Sequence, residues 1–271
     1  MLAKQWTGIV GAICLAWIAS AAHATVISYQ QGGDNALVSG YSGAQDAELS
    51  SQFPNSQFGI SNGYFRVGET GRGAQVLHGL MRWDLSSLAG KYSTINSITL
   101  TYFDDSSYEW PNVNGGGEAT VYALKPANAG WVENDVTWNN QVQGGPTPWV
   151  GSGGASTAGV DYDSTPLCDY MYVANGPAIY KTITLSGHAG LSLTDLVDQW
   201  SGDQASNAGF LFRSNTEGST YTYDYLHVNG KENATLANRP MLTIDYTPVP
   251  EPAMLSLGAL VAAALLRRRW A

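Results

Sequence analysis

The residues of this chain that could do chemistry are its acids, three separated histidines and a set of tryptophans. Cleaving a glycosidic bond needs two carboxylates roughly 5 to 10 Å apart. Asp104-Asp105 and Asp161-Tyr162-Asp163 are the densest acidic clusters, yet adjacent acids among Gly and Ser ordinarily cap solvated turns. His78, His188 and His227 lack the i, i+4 helical spacing of a zinc protease site. No Gly-x-Ser-x-Gly nucleophile elbow and no phosphate-cradling glycine loop occurs. A polysaccharide lyase or glycoside hydrolase is therefore the weakest of three functional readings, behind a binding module and a passive scaffold.

Binding chemistry is better represented. Sugar rings present apolar C–H faces that lie on exposed aromatic rings, while polar groups engage their hydroxyls. Tyr108 and Trp110 stand in a loop running to Gly117, and Trp149 stands in the Gly-, Ser- and Pro-rich stretch Gln141–Gly159, which reads as a surface insertion. These three are the expected saccharide platform. Tyr221, Tyr223 and Tyr225 alternate along a strand, a pattern more often of the core. Calcium is the cofactor that the loop oxygens of Asp34, Asp161 and Asp163 would suit, although none has EF-hand spacing.

Charge narrows the partners. Residues 1–24 and 249–271 hold four of the 13 basic and one of the 22 acidic residues, leaving nine against 21 and a formal charge of −12 on the body. Such a body repels phosphate backbones, so nucleic acid is not expected as a partner. Cys14 falls in the first segment, which leaves Cys168 without an intramolecular disulfide partner in the body. It is expected as a small buried hydrophobe.

The elements that must position these residues repeat with period two. Ile95–Phe103, Ala119–Leu124, Ile179–Leu185, Gly209–Phe212, Tyr221–Val228 and Met241–Tyr246 mix β-branched and aromatic residues with Ser and Thr. Gly, Asn, Ser and Pro clusters separate them, as in an antiparallel sandwich. One helix is expected where Leu193, Leu196, Val197 and Trp200 share a face, with Ser192 or Thr194 as N-cap. Asp84–Leu88 reads as a single turn. Trp131, Trp138 and Trp200 suit a sandwich edge, each ring buried and each indole N–H bonded.

Both ends read as export devices. Lys4, the apolar Ile9–Ala19 and the small residues Ala22 and Ala24 around His23 have the form of a cleavable signal helix, residues 1–24. At the other end, residues 249–271 run Pro250-Glu251-Pro252, an apolar helix from Ala253 to Leu266, then Arg267-Arg268-Arg269. The apolar run is shorter than the roughly 20 residues that span a bilayer core, and the arginines belong on the cytoplasmic side. This order resembles the PEP-CTERM sorting signal. The resemblance implies export, transient membrane anchorage through the hydrophobic helix, and processing by an exosortase-type protease.

The body, residues 25–248, carries a second resemblance. Pro54-Asn55-Ser56-Gln57-Phe58-Gly59, Tyr64–Gly68, Leu80–Leu88, Trp131–Asn140, the Leu193–Trp200 helix and Arg239–Ile244 look like the successive signatures of the DNRLRE (disaggregatase-related) family. The resemblance implies a jelly-roll-like β-sandwich associated with acidic polysaccharide. The expected protein is all-β with one short helix, exported to the cell surface or extracellular matrix, and noncatalytic. Its expected partner is exopolysaccharide.

Overall fold

The computed structural model describes residues 23–59, 63–70, 75–105, 118–171, 179–214, 217 and 224–250. Thirteen strands form within them: β1 Thr25–Gln30, β2 Ala44–Ser50, β3 Tyr64–Thr70, β4 Gln75–Trp83, β5 Tyr92–Asp104, β6 Glu118–Ala123, β7 Asn140–Val142, β8 Thr147–Pro148, β9 Cys168–Met171, β10 Ile179–Leu185, β11 Phe210–Ser214, β12 Asp224–Asn229 and β13 Met241–Pro248. Every pairing between named strands is antiparallel. Within the described residues the chain is an all-β sandwich with one α-helix, as its period-two segments require.

One layer runs β1-β13-β5-β10 and the other β2-β4-β11-β6-β9. β3 ties them at a corner, because it pairs with β4 only over Gly68–Thr70 and with β12 along Tyr64–Glu69. Alternation fills the space between the layers. Ile98, Leu100 and Tyr102 of β5 and Leu242 and Ile244 of β13 face Met81 and Trp83 of β4 and Phe210 and Phe212 of β11. Gly79 of β4 belongs to this packing, since a Cβ there would stand 2.5 Å from the Phe65 ring.

The helix α1, Leu193–Gly202, closes one end of this core with Leu196, Val197 and Trp200. Ser192 and Asp195 form a capping box that satisfies two N–H groups at its start. The turn after β4 forms at Ser86–Leu88. Cys168, expected buried, is half-buried at the core's margin.

The outer face of the second layer carries a second core that the sequence reading missed. Ala47, Leu49, Leu80 and Leu211 point away from the first core and are covered by Leu124, Trp131, Val136, Trp149, Ala155 and Tyr162. The stretch expected as a free surface loop, Gln141–Gly159, is thus part of a cover spanning residues 124–162. Trp149, expected as an exposed platform, is 4% exposed and donates its indole N–H to the Thr137 carbonyl at 3.1 Å. The physical reason is that β4 and β11 also place Leu80 and Leu211 on their outer face, and the cover removes these from water.

Candidate functional site

Gln45 of β2 and Arg82 of β4 are register partners on this covered face. Arg82 lies over the Trp131 ring, 4.2 Å from its centroid. Its Nε donates to Gln45 Oε1 at 2.7 Å, Nη1 to the carbonyls of Ala129 and Asn207 at 2.8 and 3.3 Å, and Nη2 to the Trp131 carbonyl at 2.7 Å. Four of its five N–H groups are therefore engaged, and no carboxylate among the described residues forms an ion pair with it. Burial pushes its pKa down to about 10, against the field of Glu133.

Beside Arg82 opens a cavity of about 290 Å³ lined by Gly43, Gln45, Arg82, Asp84, Ala129, Gln204 and Asn207. The internal hydrogen bonds leave polar capacity around it. Asp84 Oδ1 accepts from the Ser86 N–H, Gln204 Nε2 donates to the Trp200 carbonyl, and Gln45 uses its oxygen on Arg82. The Asp84 Oδ2, Gln204 Oε1 and Gln45 amide NH₂ remain for a ligand. Asn207 donates to the Trp83 carbonyl at 2.7 Å, while its own Oδ1 is buried without a partner. Donors and acceptors mixed around a space of this size suit a polyol of about one sugar ring.

No family model matches the chain, and no curated protein matches it either.

The acids that converge are not those expected to hold calcium. Asp34 is solvent-facing, and its Oδ1 accepts from Ser39 Oγ and the Gly40 N–H, which holds its pKa below the usual range. Asp161 is fully buried and accepts from the N–H groups of Gly151, Ser152 and Thr157 and from Asn128 Nδ2. It pins the cover's turn, with its oxygens committed to protein donors. Asp163 pairs with Lys125. Asp46, Glu133 and Glu232 instead bring ligand oxygens within 4.8 Å of one another. Lys231 already sits among them, its Nζ on Glu232 and 3.1 Å from Glu133, and its N–H on Asp46. Burial, then the charges of Glu232 and Glu133, pushes the Asp46 carboxyl up to about 8. The hard oxygens of this triad are the ones that could hold a cation.

A third cluster bears on catalysis. His78 places Nδ1 2.7 Å from the Gly154 carbonyl and Nε2 3.0 Å from Glu217, and Arg213 joins both Glu217 and Tyr162. Burial opposes ionisation of Glu217, but His78 and Arg213 outweigh it and hold its pKa down at about 2. An Arg/Tyr/His set of this kind is what a lyase would need, yet His78 has no exposure at all. A polymer cannot reach its nitrogens in this conformation, and both already face acceptors. The cluster fastens the Gly154 turn of the cover to β4.

Among the other expected site residues, Tyr108 and Trp110 lie outside the described residues, as do Tyr221 and Tyr223, whereas Tyr225 is buried. Ala24 and Pro250 are exposed just outside β1 and β13. Ala22, Glu251, Pro252, Arg267, Arg268 and Arg269 lie outside the described residues, within which no helix is long and apolar enough to cross a membrane. Arg82 and Gln45 escaped the sequence reading. The available signal was an arginine between Met81 and Trp83 at the apolar end of β4, a position that demands buried acceptors.

Proposed function

We propose that this protein is an exported, noncatalytic component of the cell surface or extracellular matrix that associates with exopolysaccharide through the Arg82 cavity. The observation that carries the reading is the unspent hydrogen-bonding capacity of Gln45, Asp84 and Gln204 around a space of about 290 Å³. Gln45 stands on β2, Asp84 directly after β4 and Gln204 in the turn after α1, each held by a hydrogen bond to the protein, so little ordering cost opposes a ligand. Export rests on the signal-peptide form of residues 1–24, and sorting by an exosortase-type protease on the PEP-CTERM-like order of residues 249–271. The DNRLRE-like signatures support the same compartment.

A glycan array probed with the full-length chain tests the binding. Retention should fall in Gln45→Leu and Asp84→Asn variants, the latter keeping an acceptor for the Ser86 N–H. Retention of every glycan no better than by an albumin control would refute it. A chain ending at Pro248 should fold and be mislocalised. Its arrival at the normal destination would refute the sorting reading.

The passive-scaffold reading has one specific observation in its favour: of the five described tryptophans, Trp83, Trp131, Trp149 and Trp200 are buried, and Trp138 is half-buried with its ring against His78. A null glycan array would leave that reading standing.

A further inference from the structure

The two layers have unlike outer faces. Residues 124–162 cover the β2-β4-β11-β6 side, whereas the outward side chains of β1-β13-β5-β10 are half-buried or exposed, with Val26 at 61% and Tyr180 at 53%. Strand register sets these side chains in rows. Ser28, Thr243, Thr99 and Thr184 stand side by side across all four strands, followed by Gln30, Met241, Thr101 and Thr182. Val26, Asp245 and Ser97 form the row before, and Phe103 and Tyr180 the row after, their rings edge to face at 5.0 Å.

Neighbouring hydroxyls already pair, Ser28 with Thr243 and Thr101 with Thr182, each at 2.9 Å. Strand propensity explains threonine here. It does not explain why Asp245, bonded to Asn96 at 3.0 Å, is the one charged side chain in these four rows, on a body whose formal charge is −12. Exposed sheet faces are normally protected by interspersed charge.

We propose that this face docks an extended, uncharged polysaccharide chain, which lies across the strands with its hydroxyls on the Ser/Thr rows and an apolar ring face against Phe103 and Tyr180. The electrostatics select the neutral class: the four described rows offer no cation to an acidic polymer, and the body's charge repels one. The hydroxyls can donate and accept, so they match a polyol without unpaired groups. Strands about 4.7–4.9 Å apart hold the rows rigid, so a polymer loses little protein entropy on docking. This surface lies on the opposite layer from the Arg82 cavity and does not depend on it.

Affinity electrophoresis of the full-length chain in a polyoxyethylene detergent tests the proposal, in gels containing hydroxyethylcellulose, dextran, galactomannan or alginate. At least one neutral polymer should retard the wild type more than alginate does. Thr99→Lys/Thr182→Lys should weaken that retardation about tenfold or more with an unchanged melting temperature, and Tyr180→Ala should weaken it less. The lysine pair should weaken retardation by the same factor in wild-type and Gln45→Leu backgrounds, which separates this face from the cavity. Mobility equal to an albumin control in every neutral gel would overturn the proposal. So would stronger retardation by alginate, equal retardation of wild type and lysine variant, or sedimentation showing a dimer that the lysine variant abolishes without any glycan effect.

Discussion

Replacing Arg82 with methionine tests how far the covered face depends on one guanidinium. The substitution keeps an unbranched side chain over Trp131 and removes four donated hydrogen bonds, three of them to backbone carbonyls. Hydrogen bonds from a charged group contribute about 1.5–3 kcal/mol each. Part of that returns, because the guanidinium is buried without an ion pair, and the fall of its pKa from 12.5 to about 10 corresponds to roughly 3 kcal/mol of penalty on the charged form. Ala129 and Asn207 line the cavity, so water can replace arginine there. Trp131 does not line it, and its orphaned carbonyl carries the desolvation cost. The balance is a loss of about 3 kcal/mol, which in a body of this size lowers the melting temperature by about 6–12 °C. Arg82→Lys should lose nearly as much, since a single ammonium cannot span acceptors arranged for a fork. Calorimetry on the three full-length proteins decides the matter. A methionine variant melting within about 2 °C of wild type would mean that the bonds merely balance the buried charge, and the argument from Arg82 would fail.

Three further outcomes are expected. Trp149→Ala should cost about 3–5 kcal/mol in urea unfolding, since the ring is buried in the second core; a variant as stable as wild type would restore Trp149 as a surface residue. Ser192→Ala removes the α1 capping box and should cost about 1 kcal/mol, read from the urea midpoint; an unmoved midpoint would show that packing alone holds the helix. Asp46 has its folded pKa raised from 3.8 to about 8 by burial, so its contribution to stability is fully present below the unfolded value and is lost as pH rises through about 8. The urea midpoint of Asp46→Asn should therefore gain on wild type between pH 5 and pH 8, and a constant gap between the two would contradict the raised carboxyl.

Local pattern made the frame of the sandwich legible. Ile98, Leu100 and Tyr102 alternate with Ser97, Thr99 and Thr101, and the core takes the first set. The strand expected at Ile179–Leu185 forms with those bounds, and the helix expected from its apolar face starts at the Ser192 cap. The cover was illegible because the Gly- and Pro-rich residues around Trp149 describe only their own flexibility. Its fate is decided by Leu80 and Leu211, which put large apolar side chains on the outer face of β4 and β11. The unbroken run Phe210-Leu211-Phe212 carried that information, since a strand solvated on one face would alternate. Nothing local could unite Asp46, Glu133 and Glu232, which come together only when β2, the cover and the segment after β12 are in place.

The ends of the body bear on how it can be presented. Thr25, the first residue of β1, lies opposite Tyr246 near the end of β13, so the segments proposed as signal and sorting tail leave from the same end of the uncovered layer. The strand axis points to that end of the layer. The rows of Ser28–Thr243–Thr99–Thr184 and Gln30–Met241–Thr101–Thr182 then stand beside that axis, facing neither toward nor away from the attachment. A polymer lying across the strands would approach from the side and meet the face with or without residues 249–271. Binding on this layer should therefore be insensitive to whether residues 249–271 are present, whereas under the proposed sorting reading location depends on them. The two properties are separable because the fold places attachment at a sheet's end and the hydroxyl rows on its face.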